Sequence, residues 1–133
     1  MLTVLDTHAL VWLDQDDVNL GAKARSYADQ ALQQGHLAVS AITFWEVAML
    51  IAKNRITMTL PVGAWRRELL QKGLVELPVD GEIGIKAAGL DLHGDPADRM
   101  IVASCQQKGA MLVTADLPLL EWHGTLERHD ART

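Results

Sequence analysis

Along the chain, short apolar runs alternate with longer stretches in which apolar residues recur at helical spacing. The short runs predict strands over Leu2–Leu5, Leu37–Val39, Leu74–Pro78 and Met111–Thr114, with a weaker one near Thr125–Arg128. Three of them follow a glycine (Gly35, Gly73, Gly109) by one or two residues, as expected where a helix has just ended. Between the strands lie helical patterns over Thr7–Leu13, Ala22–Gln34, Ala41–Asn54, Val62–Lys72, Gly81–Asp91 and Pro96–Lys108, and a short turn over Leu117–Glu121. Strand–helix alternation predicts an α/β fold, a three-layer α/β/α sandwich around a central, mostly parallel sheet. Right-handed crossovers then collect the C-terminal ends of the strands on one edge, where α/β sheets bind their ligands.

One position breaks the apolar pattern. Glu46 is the only charge in Ala41–Ala52 (AITFWEVAMLIA), and its helical neighbours are Ile42, Thr43, Met49 and Leu50. A carboxylate in such surroundings is costly unless its charge is compensated. Three more acids fall near the same sheet edge. Asp6 directly follows the first strand, and Asp116 lies two residues beyond the fourth. Asp98 sits in the first turn of the helix that leads into that strand, sharing a face with Ile101, Val102 and Cys105. Glu46, about five residues into its helix, reaches the edge from the side, roughly 8 Å along the axis. Capping is the competing role for several of these acids. Asp6 and Asp116 each precede a helical segment, and Asp95, Pro96 and Asp98 read as N-cap, N1 and N3. For Asp95 the cap is the expected role; for Glu46 neither capping nor solvation gives an account.

Composition narrows the chemistry. At 133 residues the chain is expected to be one domain spanning residues 1–133, with 49% hydrophobic and 22% charged residues. No apolar run approaches the ~20 residues of a membrane span. The start, MLTVLD, lacks a basic region ahead of an apolar one, and Cys105 is the sole cysteine, so the expected compartment is the cytoplasm. A net charge of −5 excludes binding of nucleic acid by bulk electrostatics. Any polyanion must be drawn by local cations, and five of the twelve Lys and Arg fall between Lys53 and Lys72. A solvated helix face explains that cluster equally well.

Clustered carboxylates suit hard cations such as Mg²⁺ or Mn²⁺, which orient a phosphate and activate water. No GxxxxGK[ST] or GxSxG motif is present. Hydrolysis of a nucleic-acid backbone by activated water fits that inventory. His8 and His93, near the acids, match no zinc spacing. His8, beside the Ala9–Val11 stripe, reads as a structural residue or one that supports the metal-site acids from behind, Cys105 as core, and Trp12, Trp45, Trp65 and Trp122 mainly as packing.

LDTHALVWL, SAITFWEVAML, HGDPADRMIVA and LVTAD together resemble PIN-domain proteins, and more narrowly the toxin ribonucleases of VapBC-type toxin–antitoxin modules. The resemblance runs in order from Leu2 to about Asp116. It implies a PIN-like fold with Asp6, Glu46 and Asp98 as the principal metal-site acids, Asp116 as a more variable fourth and Thr114 as a supporting polar residue. It further implies a Mg²⁺- or Mn²⁺-dependent endoribonuclease that leaves 5′-phosphate ends, usually a homodimer, with a cognate antitoxin plugging the active-site groove. Ala97 stands where relatives usually carry a bulkier residue. Three other readings compete: a catalytically silent module that binds RNA or protein, a metal-independent ribonuclease using His8 and His93, and a receiver-like Mg²⁺-binding signalling domain with Asp80 as acceptor. A phosphatase of the haloacid-dehalogenase type wants Asp-x-Asp after the first strand, and position 8 is His.

Overall fold

A computed structural model describes residues 1–92 and 94–133. Among the described residues the strands are β1 (Thr3–Leu5), β2 (Leu37–Ser40), β3 (Val75–Leu77), β4 (Met111–Thr114) and β5 (Glu127–Asp130). They form one sheet in the order β3-β2-β1-β4-β5, and every pairing is parallel. The helices are α1 (Thr7–Asp14), α2 (Ala22–Gln33), α3 (Ile42–Ala52), α4 (Val62–Gln71), α5 (Gly81–Ala88), α6 (Pro96–Lys108) and α7 (Leu117–Leu120).

The three layers follow from the two-residue period of the strands. Leu5, Leu37, Val39 and Val113 face one core, which they share with Leu10 of α1, Ala24 and Ala28 of α2, Val47 of α3 and Trp65 of α4. Their neighbours Val4, Ala38 and Leu112 face the opposite core, built with Ile101, Val102 and Cys105 of α6 and Leu119 of α7. Helix α5 extends this second layer through Ile83 and Ala87, packed with Ala103. Ile101 and Val102 are both 0% exposed, and emptying either to Ala costs about 2–5 kcal/mol by cavity formation. Gly35, Gly73 and Gly109 all have positive φ (74°, 109° and 61°), so each turns the chain out of a helix in a conformation that a side chain resists.

Most predicted elements stand within a residue or two of their expected bounds, and two differences have clear causes. Helix α5 stops at Ala88, not at Asp91, because Arg99 of α6 gathers the carbonyls of Ala87, Leu90 and Leu92 at 3.1, 3.0 and 2.6 Å. The Leu90 and Leu92 carbonyls thus serve a guanidinium, while that of Ala87 also accepts the Leu90 N–H of the closing turn. Strand β5 begins at Glu127, not Thr125: the Thr125 carbonyl accepts from Gln106 Nε2 at 2.8 Å, and pairing starts at Met111↔Glu127. Leu10 and Val11 are buried in the core and offer no dimer face, whereas Trp45 on α3 is 51% exposed and is not packing. No helix among the described residues is long and apolar enough to cross a membrane.

Candidate active site

The sheet order places β1 between β2 and β4, so the connections leaving the first strand and the fourth run to opposite sides. The crevice outside the C-terminal ends of β1 and β4 is therefore a topological switch point, the usual ligand position in such folds. A cavity of about 250 Å³ lies there, and Asp6, Glu46, Asp98 and Asp116 all line it.

Each acid arrives by a different local device. Asp6 ends β1 and N-caps α1: its Oδ1 accepts the Ala9 N–H at 2.9 Å. Its Oδ2 accepts from Thr114 Oγ1 at 2.5 Å, and Thr114 Oγ1 in turn accepts the Asp116 N–H at 3.0 Å. Asp116 caps α7 through the Leu119 N–H at 3.2 Å. Capping and cavity lining are thus compatible, because a carboxylate has about four acceptor sites and a cap uses one. Glu46 comes across from α3 and accepts from the Thr7 hydroxyl, which lies 3.3 Å from the Thr43 hydroxyl. Asp95 caps α6 through the N–H groups of Ala97 and Asp98, at 2.9 and 3.3 Å, so the first turn that carries Asp98 is fixed from below. Ala97 is 2% exposed, so the small side chain is sealed beneath that turn.

Electrostatics mark the site as strained in charge. Burial, followed by repulsion from Asp95, Asp116, Glu46 and Asp6, pushes the Asp98 carboxyl up to about 8. Asp6 is also raised, chiefly by burial, with the Thr114 and Ala9 hydrogen bonds working against the shift. Glu46 is raised by burial, opposed by the Thr7 hydroxyl and pushed further by Asp95. Several anions held in one low-dielectric hollow are what a divalent cation would relieve, and an all-oxygen donor set suits a hard ion. The carboxylates do not close on one point, however. Among the described residues no three acidic, histidine or cysteine side chains are gathered tightly enough to hold an ion directly. Asp6 and Glu46 are instead each turned onto a threonine hydroxyl, Thr114 and Thr7 respectively.

All four acids and Thr114 therefore meet at one edge. Thr7 and Arg132, which sequence reasoning passed over, line the cavity as well, as do Asp95, expected only to cap, and Trp12, expected only to pack. Thr7 carries a faint signal, because it follows Asp6 and faces a helix whose Thr43 precedes Glu46 by one turn. Arg132 carries none. His8 is exposed and lines the cavity, which fits a residue supporting the acids and not one packed beside the α1 stripe, and His93 lies outside the described residues. Asp80 caps α5 through the Ile83 N–H at 2.9 Å and is not part of the cavity lining. Cys105 is 1% exposed, its thiol pushed up to about 12 by burial, and it belongs to the core.

Comparison with known proteins agrees with this geometry. Residues 3–120 match the family described as PIN domain. The chain is 33% identical over 119 residues to Ribonuclease VapC22 of Mycobacterium tuberculosis, covering 87% of this chain and 88% of that protein. Among solved structures, it resembles a chain of VapBC2 from Rickettsia felis, bound to a DNA fragment from its promoter, with a TM-score of 0.69 at 15% identity, covering 98% of this chain and 100% of that one. A toxin-antitoxin complex from Klebsiella pneumoniae gives 0.63 at 18% identity, covering 97% of each chain.

Proposed function

The chain belongs to the PIN-domain family, and from that premise we propose that it is a metal-dependent endoribonuclease, the toxin of a type II toxin–antitoxin pair. The observation that carries the reading is the convergence of Asp6, Glu46, Asp98 and Asp116 on one cavity at the switch point of the sheet. Its relative in Mycobacterium tuberculosis is named a ribonuclease, and a fold relative comes from a toxin-antitoxin complex.

In this reading Asp6, Glu46 and Asp98 would hold Mg²⁺ or Mn²⁺, at least in part through water, and Asp116 would complete the site or support a second ion. When bound, the ion supplies a water of lowered pKa and neutralises charge in an in-line displacement. The chain's own residues prepare for that. Thr114 and the Ala9 N–H orient the Asp6 carboxylate, and Thr7 orients Glu46. Burial and the neighbouring acids push the Asp98 carboxyl up to about 8, so it would carry a proton near neutral pH until a bound cation offset the charge around it. Water oxygen bonds to phosphorus, the bond from phosphorus to the 3′ oxygen breaks, and the 3′ oxygen leaves as a hydroxyl. The products are 5′-phosphate and 3′-hydroxyl ends.

The proposal extends to a single nuclease domain over residues 1–133, working in the cytoplasm on an RNA substrate, with a cognate antitoxin covering the cavity. A homodimer is part of it: Trp45 is 51% exposed on α3, beside the exposed Ala48 and the half-buried Met49, an apolar strip suited to a second copy. Product-end analysis tests the chemistry. RNA cut in Mn²⁺ should carry 5′-phosphate ends and remain uncut in EDTA. Cyclic phosphate ends in EDTA would replace this reading with metal-independent cleavage through the 2′-hydroxyl.

A further inference from the structure

An acidic cavity in an acidic chain needs a cation to receive a polyanion. The cluster between Lys53 and Lys72 does not supply it, because none of those residues lines the cavity. Arg66, a member of that cluster, is engaged by Glu76 through paired bonds of 2.7 and 2.8 Å. The arginine that does line the cavity is Arg132, from the segment following β5.

Its position is built by the backbone around it. The Ala131 N–H donates to the Thr114 carbonyl at 2.8 Å, so the segment prolongs β5 beside the strand end that carries Thr114. On its other side, the Gly21 N–H donates to the Ala131 carbonyl at 2.8 Å and the Lys23 N–H to the Thr133 carbonyl at 3.0 Å. The segment therefore crosses the start of α2 so closely that a Cβ on Gly21 would stand 2.3 Å from the Thr133 carbonyl carbon. The guanidinium is fixed as well. Nη1 donates to the Ala115 carbonyl at 3.0 Å, and the group lies over the Trp12 ring, 5.1 Å from its centre. The carbonyl contact occupies one of five N–H donors. The carbonyl bond and the cation–π contact with Trp12 restrain the group, so less freedom is lost when the remaining donors take up an oxyanion.

We propose that Arg132 is a substrate-binding residue that grips an RNA backbone phosphate beside the acidic cavity, with Trp12 as the platform that orients it. This rests on the ribonuclease reading. Arginine suits the task because its planar fork matches two phosphate oxygens, and lysine can neither pair in that way nor stack equally.

The test is the initial rate of total-RNA cleavage in Mn²⁺, measured against RNA concentration and salt for wild type, Arg132→Gln and Arg132→Lys. Arg132→Gln should raise the apparent KM roughly five- to tenfold with kcat retained. It should also flatten the slope of log kcat/KM against log salt by about 0.7, the loss of one phosphate contact on a single strand. Arg132→Lys should restore the salt slope but only part of the KM. Arg132 is exposed, so both variants should melt with the wild type. Wild-type KM and slope in Arg132→Gln would overturn the assignment, as would loss of kcat at unchanged KM. Wild type that cleaves no RNA would instead sink the ribonuclease reading, and this inference with it.

Discussion

Thr114 Oγ1 donates to Asp6 Oδ2 at 2.5 Å across 108 residues of chain, joining the ends of two adjacent parallel strands. The same oxygen accepts the N–H of Asp116, so one buried hydroxyl sets the relation between two of the four acids. Thr114 is 0% exposed, and Asp6 turns its other oxygen, Oδ1, to the Ala9 N–H.

Thr114→Val keeps the side-chain shape and removes the bond. A net loss of ~1.5–3 kcal/mol for a hydrogen bond to a charged group predicts cleavage slowed roughly ten- to a hundredfold, with Asp6 raised further. Thr114→Ser should retain most of the rate. Initial rates in Mn²⁺ check this, and a Val variant as fast as wild type would show that the hydroxyl positions nothing.

Asp98 makes the metal-free protein sensitive to pH. Its carboxyl is near 3.8 unfolded and is pushed up to about 8 in the fold, so the native state binds the extra proton between those values. Stability contributed by the protonated form is complete at low pH and is lost as pH rises through about 8. Asp98→Asn carries no charge at any pH. In EDTA it should therefore equal wild type near pH 4 and exceed it above pH 8. The gap should be on the order of 1–3 kcal/mol once screening of the part-exposed carboxyl is allowed for. Denaturant midpoints across that range provide the measurement, and parallel curves for the two proteins would contradict the charge crowding.

Mn²⁺ should reverse the same repulsion. A ligand that binds only the folded state at a hundredfold excess over its Kd stabilises by about 2.7 kcal/mol, or several degrees in Tm. Wild type should show this rise, and Asp98→Asn should show less than half of it. A melting temperature unmoved by saturating Mn²⁺ would argue against any metal site in the cavity.

Much of this arrangement was legible in the sequence, and for definite reasons. Apolar runs such as Met111–Thr114 mark buried parallel strands, and glycines with positive φ mark the helix ends before them. Right-handed crossovers then carry Asp6 and Asp116 to one edge without any contact information. Glu46 stood out because its neighbours are apolar. What the pattern could not show depends on long-range backbone contacts. Strand β5 (ERHD) is polar at a sheet edge, so the sequence marked it only weakly, near Thr125–Arg128, and its bounds of Glu127–Asp130 come from pairing with β4. Arg132 reaches the cavity only because Gly21 and Thr114 hold the segment around it. The Lys53–Lys72 cluster, conspicuous in sequence, lies away from the site.

The most direct test is cleavage of total RNA by the purified wild type and by Asp98→Asn, each with Mn²⁺ and with EDTA. The account predicts cleavage by wild type in Mn²⁺ alone, leaving 5′-phosphate ends, while the folded variant is inactive in both conditions. Equal cleavage by the variant, or by wild type in EDTA, would contradict it.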